Sequence, residues 1–101
     1  HWNGFQQERN ALLELLTTER IPGVVFVSAD QHRPATNHHR EGVREYVSGP
    51  LAIGVGGIPL RVDPEMRWSR GVRSYSVVRV DASAAPARLL LEHKDASGAV
   101  L

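Results

Sequence analysis

The spacing of apolar positions changes along the chain and predicts where helix gives way to strand. From Asn3 to Thr18, Phe5, Leu12, Leu15 and Leu16 fall close to one helical face, and Ala11 and Leu13 widen the stripe. Gln7, Glu8, Asn10 and Glu14 mostly face away from it. Asn3 with Gln6 three residues later fits a capping box, so a helix is expected over 3–18, ended by Pro22-Gly23. Trp2 and Phe5 are expected to pack it onto a sheet. Gly23 to Ala29 is a continuous β-branched and aromatic run rather than an alternating one. That predicts a strand covered on both faces, as in the sheet of an α/β domain.

After this strand the pattern becomes polar. Asp30 to Gly42 contains Pro34 and reads as a loop with at most a short helical turn. Val43 to Ser48 predicts a second strand, stopped by Gly49-Pro50. Leu51 to Leu60 is apolar but broken by Gly54, Gly56, Gly57 and Pro59, and Asp63 to Arg70 reads as another loop. Ser74 to Asp81 and Ala87 to His93 are strands, and Ala99-Val100-Leu101 begins a third. Ala85-Pro86 and Asp95-Ala96-Ser97-Gly98 supply the turns of this antiparallel meander. The expected class is α/β, with one domain over residues 1–101.

Composition excludes several functions. Twelve basic against eleven acidic residues leave a net charge of +1, and the basic residues are dispersed, so no nucleic-acid-binding patch is expected. There is no cysteine, which removes disulfides, thiolate metal sites and a cysteine nucleophile. No apolar run is long enough to span a membrane. Ser28, Ser48 and Ser76 lack a nucleophile-elbow context, so no serine hydrolase is indicated.

The segment that carries chemistry is Val27-Ser28-Ala29-Asp30-Gln31-His32. Ligands of open α/β sheets collect at the carboxyl ends of strands. There Asp30 offers a carboxylate and His32 an imidazole, a pair suited to a hard or borderline cation such as Zn, Fe, Mn or Ca. In an extended backbone, residues two apart point the same way, so both can face one ion. On spacing alone the plainer reading is favoured: Asp30 caps a loop and His32 is a solvated side chain.

Resemblance changes that weighting. Trp2, Gly4, Phe5, Glu8, Arg9, the Leu12, Leu13 and Leu16 helix, the Val24 to Val27 strand and Ser28-Ala29-Asp30-Gln31-His32 together resemble the alkaline phosphatase D family of calcineurin-like metallophosphatases. Glu45 to Pro50, the Tyr75 to Asp81 strand and the closing hairpin are similar to its C-terminal end. The resemblance implies the C-terminal part of a metallophosphatase sandwich. It also implies two metal ions in the intact enzyme (Ca, Fe, Zn or Mn), with Asp30 and His32 among the ligands. The implied activity is hydrolysis of phosphate esters by a metal-activated water or hydroxide, in a periplasmic or secreted location. The family's other ligands lie in earlier strand-end loops, so the chain is expected to be part of a longer enzyme and inactive alone. Ala29 stands where the family has glycine, and is strained if that turn needs a positive φ. The alternative is a non-catalytic α/β interaction module or a degenerate remnant of the family.

Other residues are given structural roles. His38 and His39 are read as solvated loop histidines, Arg33 as a surface residue, and His93 as structural or exposed. Arg9 is expected to pair with a carboxylate or carbonyl, and Trp68 to cover the core from a loop.

Overall fold

The computed structural model describes residues 2–52, 54–56 and 64–101. A single α-helix, α1 (Gln6–Thr18), precedes six strands: β1 (Val25–Ser28), β2 (Ala35–His38), β3 (Arg44–Val47), β4 (Met66–Ser69), β5 (Ser74–Asp81) and β6 (Arg88–Asp95). Strands β1 to β4 form a mixed sheet in the order β1-β3-β2-β4, with β1 parallel to β3 and the other pairs antiparallel. Strands β5 and β6 form a separate antiparallel hairpin, with Lys94 bridged to Val100 beyond it. The molecule is mixed α/β.

The helix starts later than its capping pattern predicts. Trp2–Gly4 form a 3-10 turn, Phe5 occupies the N-cap position without a side-chain cap bond, and Gln6 is the first helical residue. Its inward stripe is also rotated. Leu13 is fully buried and Arg9, Leu12 and Leu16 are half-buried, the i, i+3, i+4, i+7 set, whereas Phe5 and Leu15 are exposed. Trp2 meets Phe26 with ring centroids 5.3 Å apart, but Phe5 takes no part in that packing.

Strand β1 lies at an edge of the sheet, and its Val27 is 59% exposed, so it is not covered on both faces. A continuous apolar run does not distinguish an edge strand from a central one; the order of pairing does. Two stretches read as loop contain strands. Ala35–His38 pairs with β3 and β4, and Met66–Ser69 lies along β2. Both are four residues long, too short to show a period, and acquire order from their partners. Leu51, Ala52 and 54–56 are irregular as expected, while residue 53 and 57–63 lie outside the described residues. The turns after β5 and β6 use Asp81 and Asp95, each accepting from the backbone N–H and hydroxyl of the serine two residues on.

Register and alternation give the sheet two different faces. Phe26, Ser28, Ala35, Asn37, Glu45 and Val47 share the face toward α1. Thr36, Tyr46 and Trp68 share the other, where the β5–β6 hairpin packs through His93. The hairpin's far end runs free of the sheet, leaving Val78, Val80 and Leu89 exposed. The fully apolar core is small among the described residues: Leu13, Ala35, Val43 and Val47, with Pro34 beside them. No described helix is long and apolar enough to cross a membrane.

Candidate functional site

Strands β1 and β3 run parallel and leave the sheet at the same end. The Ser48 N–H donates to Ser28 O at 2.7 Å and carries the pairing one step past both strands. The segments that follow, Ala29 to Pro34 and Ser48 to Ala52, therefore emerge side by side. Asp30 and His32 line one cavity of about 310 Å³ there, together with Ser48, Gly49, Pro50, Leu51 and Ala52. Asp30 is exposed and His32 half-buried.

The backbone route to this cavity is not extended. Asp30 has φ 71° and His32 φ 56°, both left-handed, and Ala29 is not among the positive-φ residues. Strand alternation therefore does not set a shared direction for the two side chains, and the strain falls on the two candidate ligands rather than on Ala29. Left-handed geometry in non-glycine residues costs on the order of 1–3 kcal/mol each and persists only where surrounding structure holds it. Here the Gly56 N–H donates to His32 O at 2.6 Å. A Cβ on Gly56 would lie 2.9 Å from Gln31 O and 3.2 Å from His32 Cβ. The glycine-rich stretch thus gives a close backbone support for His32, which explains glycine at that position.

On the α1 face, a second cavity of about 190 Å³ is lined by Trp2, Arg9, Ser28, Asp30, Asn37, His39, Glu45 and Glu65, among others. Its wall is a continuous hydrogen-bonded network. Glu45 accepts from the Ser28 hydroxyl at 2.6 Å and the Asn37 amide at 2.9 Å. His39 Nε2 lies 3.0 Å from Glu45 Oε2, and His39 Nδ1 lies 2.7 Å from Glu65 Oε2. Arg9 donates to the same Glu65 oxygen at 3.0 Å, which meets the expectation that it pairs with a carboxylate. The His38 N–H bonds Glu65 O and brings that residue to β2.

Burial alone would raise the Glu45 carboxyl. The bonds from Ser28, Asn37 and His39 outweigh it, and the group sits below its ordinary value. Both ring nitrogens of His39 face carboxylate oxygens, so neither is left open toward a cation. His39 is buried, not solvated, and His38 is half-buried on β2. The inward place of Glu45 was legible, since Val43, Glu45 and Val47 alternate. Nothing local marked His39 or Glu65 as its neighbours.

His93 is buried on the opposite face. It stacks on Trp68 at 5.4 Å and 11°, and its Nδ1 lies 2.9 Å from Ser76 Oγ. Trp68 covers the core as expected, but from a strand. Desolvation pushes the His93 imidazole below its usual value, with the Ala35 backbone weakly opposing it. That backbone contact completes no hydrogen bond of normal geometry, and Nε2 has no partner. Arg33 donates to Gln31 Oε1 at 3.1 Å.

A metal at Asp30 and His32 would have one carboxylate and one imidazole from this cavity. Among the described residues no group of three or more His, Asp or Glu side chains gathers as a cation site. The donors present fit one corner of a metal centre, not a closed one. No family model, curated protein or solved structure matches this chain.

Proposed function

We propose that this chain supplies part of the metal site of a phosphoesterase of the alkaline phosphatase D type, within the C-terminal part of a metallophosphatase sandwich. The supporting observation is the pair Asp30 and His32, both left-handed, both lining one open cavity at the carboxyl end of a parallel strand pair. Strained backbone held in place at a strand end is where functional groups concentrate. Asp30 would hold the metal through a carboxylate oxygen and His32 through an imidazole nitrogen. When bound, metal ions supply a Lewis acid for phosphate oxygens and a water of lowered pKa. The remaining donors would come from chain outside these 101 residues.

Asp30→Asn in the active enzyme is expected to lower metal content and turnover of an aryl phosphate together, each by at least about tenfold. Elemental analysis beside the rate assay checks this. Unchanged metal stoichiometry would remove the assignment.

A further inference from the structure

The cavity holding Asp30 and His32 has a third polar wall, Ser48, tied to a chain of hydrogen bonds that ends in the interior. The Ser76 hydroxyl lies 3.2 Å from Ser48 Oγ. Ser76 Oγ also lies 2.9 Å from His93 Nδ1, where the direction of the bond depends on the imidazole tautomer. The Ser48 backbone is held by its 2.7 Å bond to Ser28 O. Its hydroxyl has no other side-chain partner among the described residues, and Ser48 lines the cavity.

We propose that Ser48 is an oxyanion-binding residue of this cavity, aimed by Ser76 and His93, and that it takes a phosphoryl oxygen of a phosphate ester. The substrate class rests on the function proposed above; the hydroxyl chain does not. Each link has a reason. Trp68 stacked on one face of the imidazole holds the ring's plane. Burial keeps the ring neutral at neutral pH, so it has one N–H and one bare nitrogen, and the chain can run with a single polarity. An anion in the cavity favours the polarity in which His93 donates to Ser76, Ser76 to Ser48 and Ser48 to the ligand. Nε2, which has no hydrogen-bond partner, is the bare nitrogen in that polarity. Ser48 is the binding residue; Ser76 and His93 are positioning residues.

Inorganic phosphate titrated into the metal-free chain tests this, followed by the ring ¹⁵N shifts of His93. Phosphate is expected to move them toward the Nδ1–H tautomer. Ser48→Ala should abolish that response and weaken phosphate about tenfold, the scale of one charge-assisted hydrogen bond. Ser76→Ala should abolish the response with a smaller loss of affinity, and Ser76→Thr, which keeps the hydroxyl, should restore it. A silent His93, undiminished phosphate binding by Ser48→Ala, or no phosphate binding at all would overturn the proposal. The metal reading fails separately: zinc alone, titrated into the parent chain and Asp30→Asn, would then bind both equally.

Discussion

On the α1 face of the four-stranded sheet, His39 is 6% exposed and bonds two carboxylates; on the hairpin face, His93 is 8% exposed and bonds one hydroxyl. The two rings lose nearly the same hydration, so burial does not separate them. Their partners do. Around His39, beside the rings of Trp2 and Phe26, both hydrogen-bond partners are carboxylates, and the cost of desolvation is offset only if the whole network stays intact. Around His93 the neighbours are Trp68, Tyr46 and one serine, and the ring serves mainly as a flat, uncharged body. One face holds a polar network beside Asp30; the other holds a packed stack from which a single hydroxyl chain reaches the cavity.

The strongest test of this contrast is paired substitution. His39→Leu leaves Glu45 and Glu65 facing each other without the ring between them, and is expected to cost about 3 kcal/mol or more in urea unfolding. His93→Phe keeps the stack on Trp68 and removes an unpaired nitrogen. It loses one hydrogen bond, and is expected to cost about 1 kcal/mol or less. Equal losses would mean that the two environments do not differ in the way their partners indicate.

A smaller effect is expected where the two faces meet. A Cβ on Gly49 would overlap the buried Ser74 Oγ and lie 2.8 Å from Pro34 Cδ, so β3's exit, the Asp30–His32 loop and the start of β5 close on one another there. Gly49→Ala should destabilise by about 2 kcal/mol, measured by thermal unfolding, since part of the clash is with rigid proline. A neutral outcome would show that this junction can yield.

The finest test is pH. Both His93 and Glu45 are held below their ordinary values, so each binds fewer protons folded than unfolded, and stability rises with pH through each window. The contribution from His93 is present above about pH 6.5 and is lost as pH falls through its folded value. The contribution from Glu45 is present above about pH 4.3 and is lost below that. His93→Phe should therefore flatten the upper window alone and Glu45→Gln the lower alone. Chemical denaturation across pH 3–8 reads both, and a single merged transition unchanged by either substitution would break the contrast.

Local pattern carried much of this protein. The helix body, the β1 run, β3 and both arms of the hairpin follow from periodicity and turn residues within a few positions of each other. Asp95 and Ser97 act as turn residues as expected, and Asp81 and Ser83 make the same bonds after β5 without having been marked. The D-x-H pair at the end of β1 was marked by its place after a strand, and the structure puts both residues on one cavity. Three features were decided only in three dimensions. Strands β2 and β4 are four-residue segments whose order comes from partners across the sheet. The edge position of β1 depends on which strand lies beside it, and no strand's own sequence records that. The network of Arg9, His39, Glu45 and Glu65 spans 56 positions at its widest, and the Ser48–Ser76–His93 chain spans 45. Periodicity reports what one residue's neighbours along the chain do with water. It is silent on which distant polar groups meet, because that is set by strand order and register.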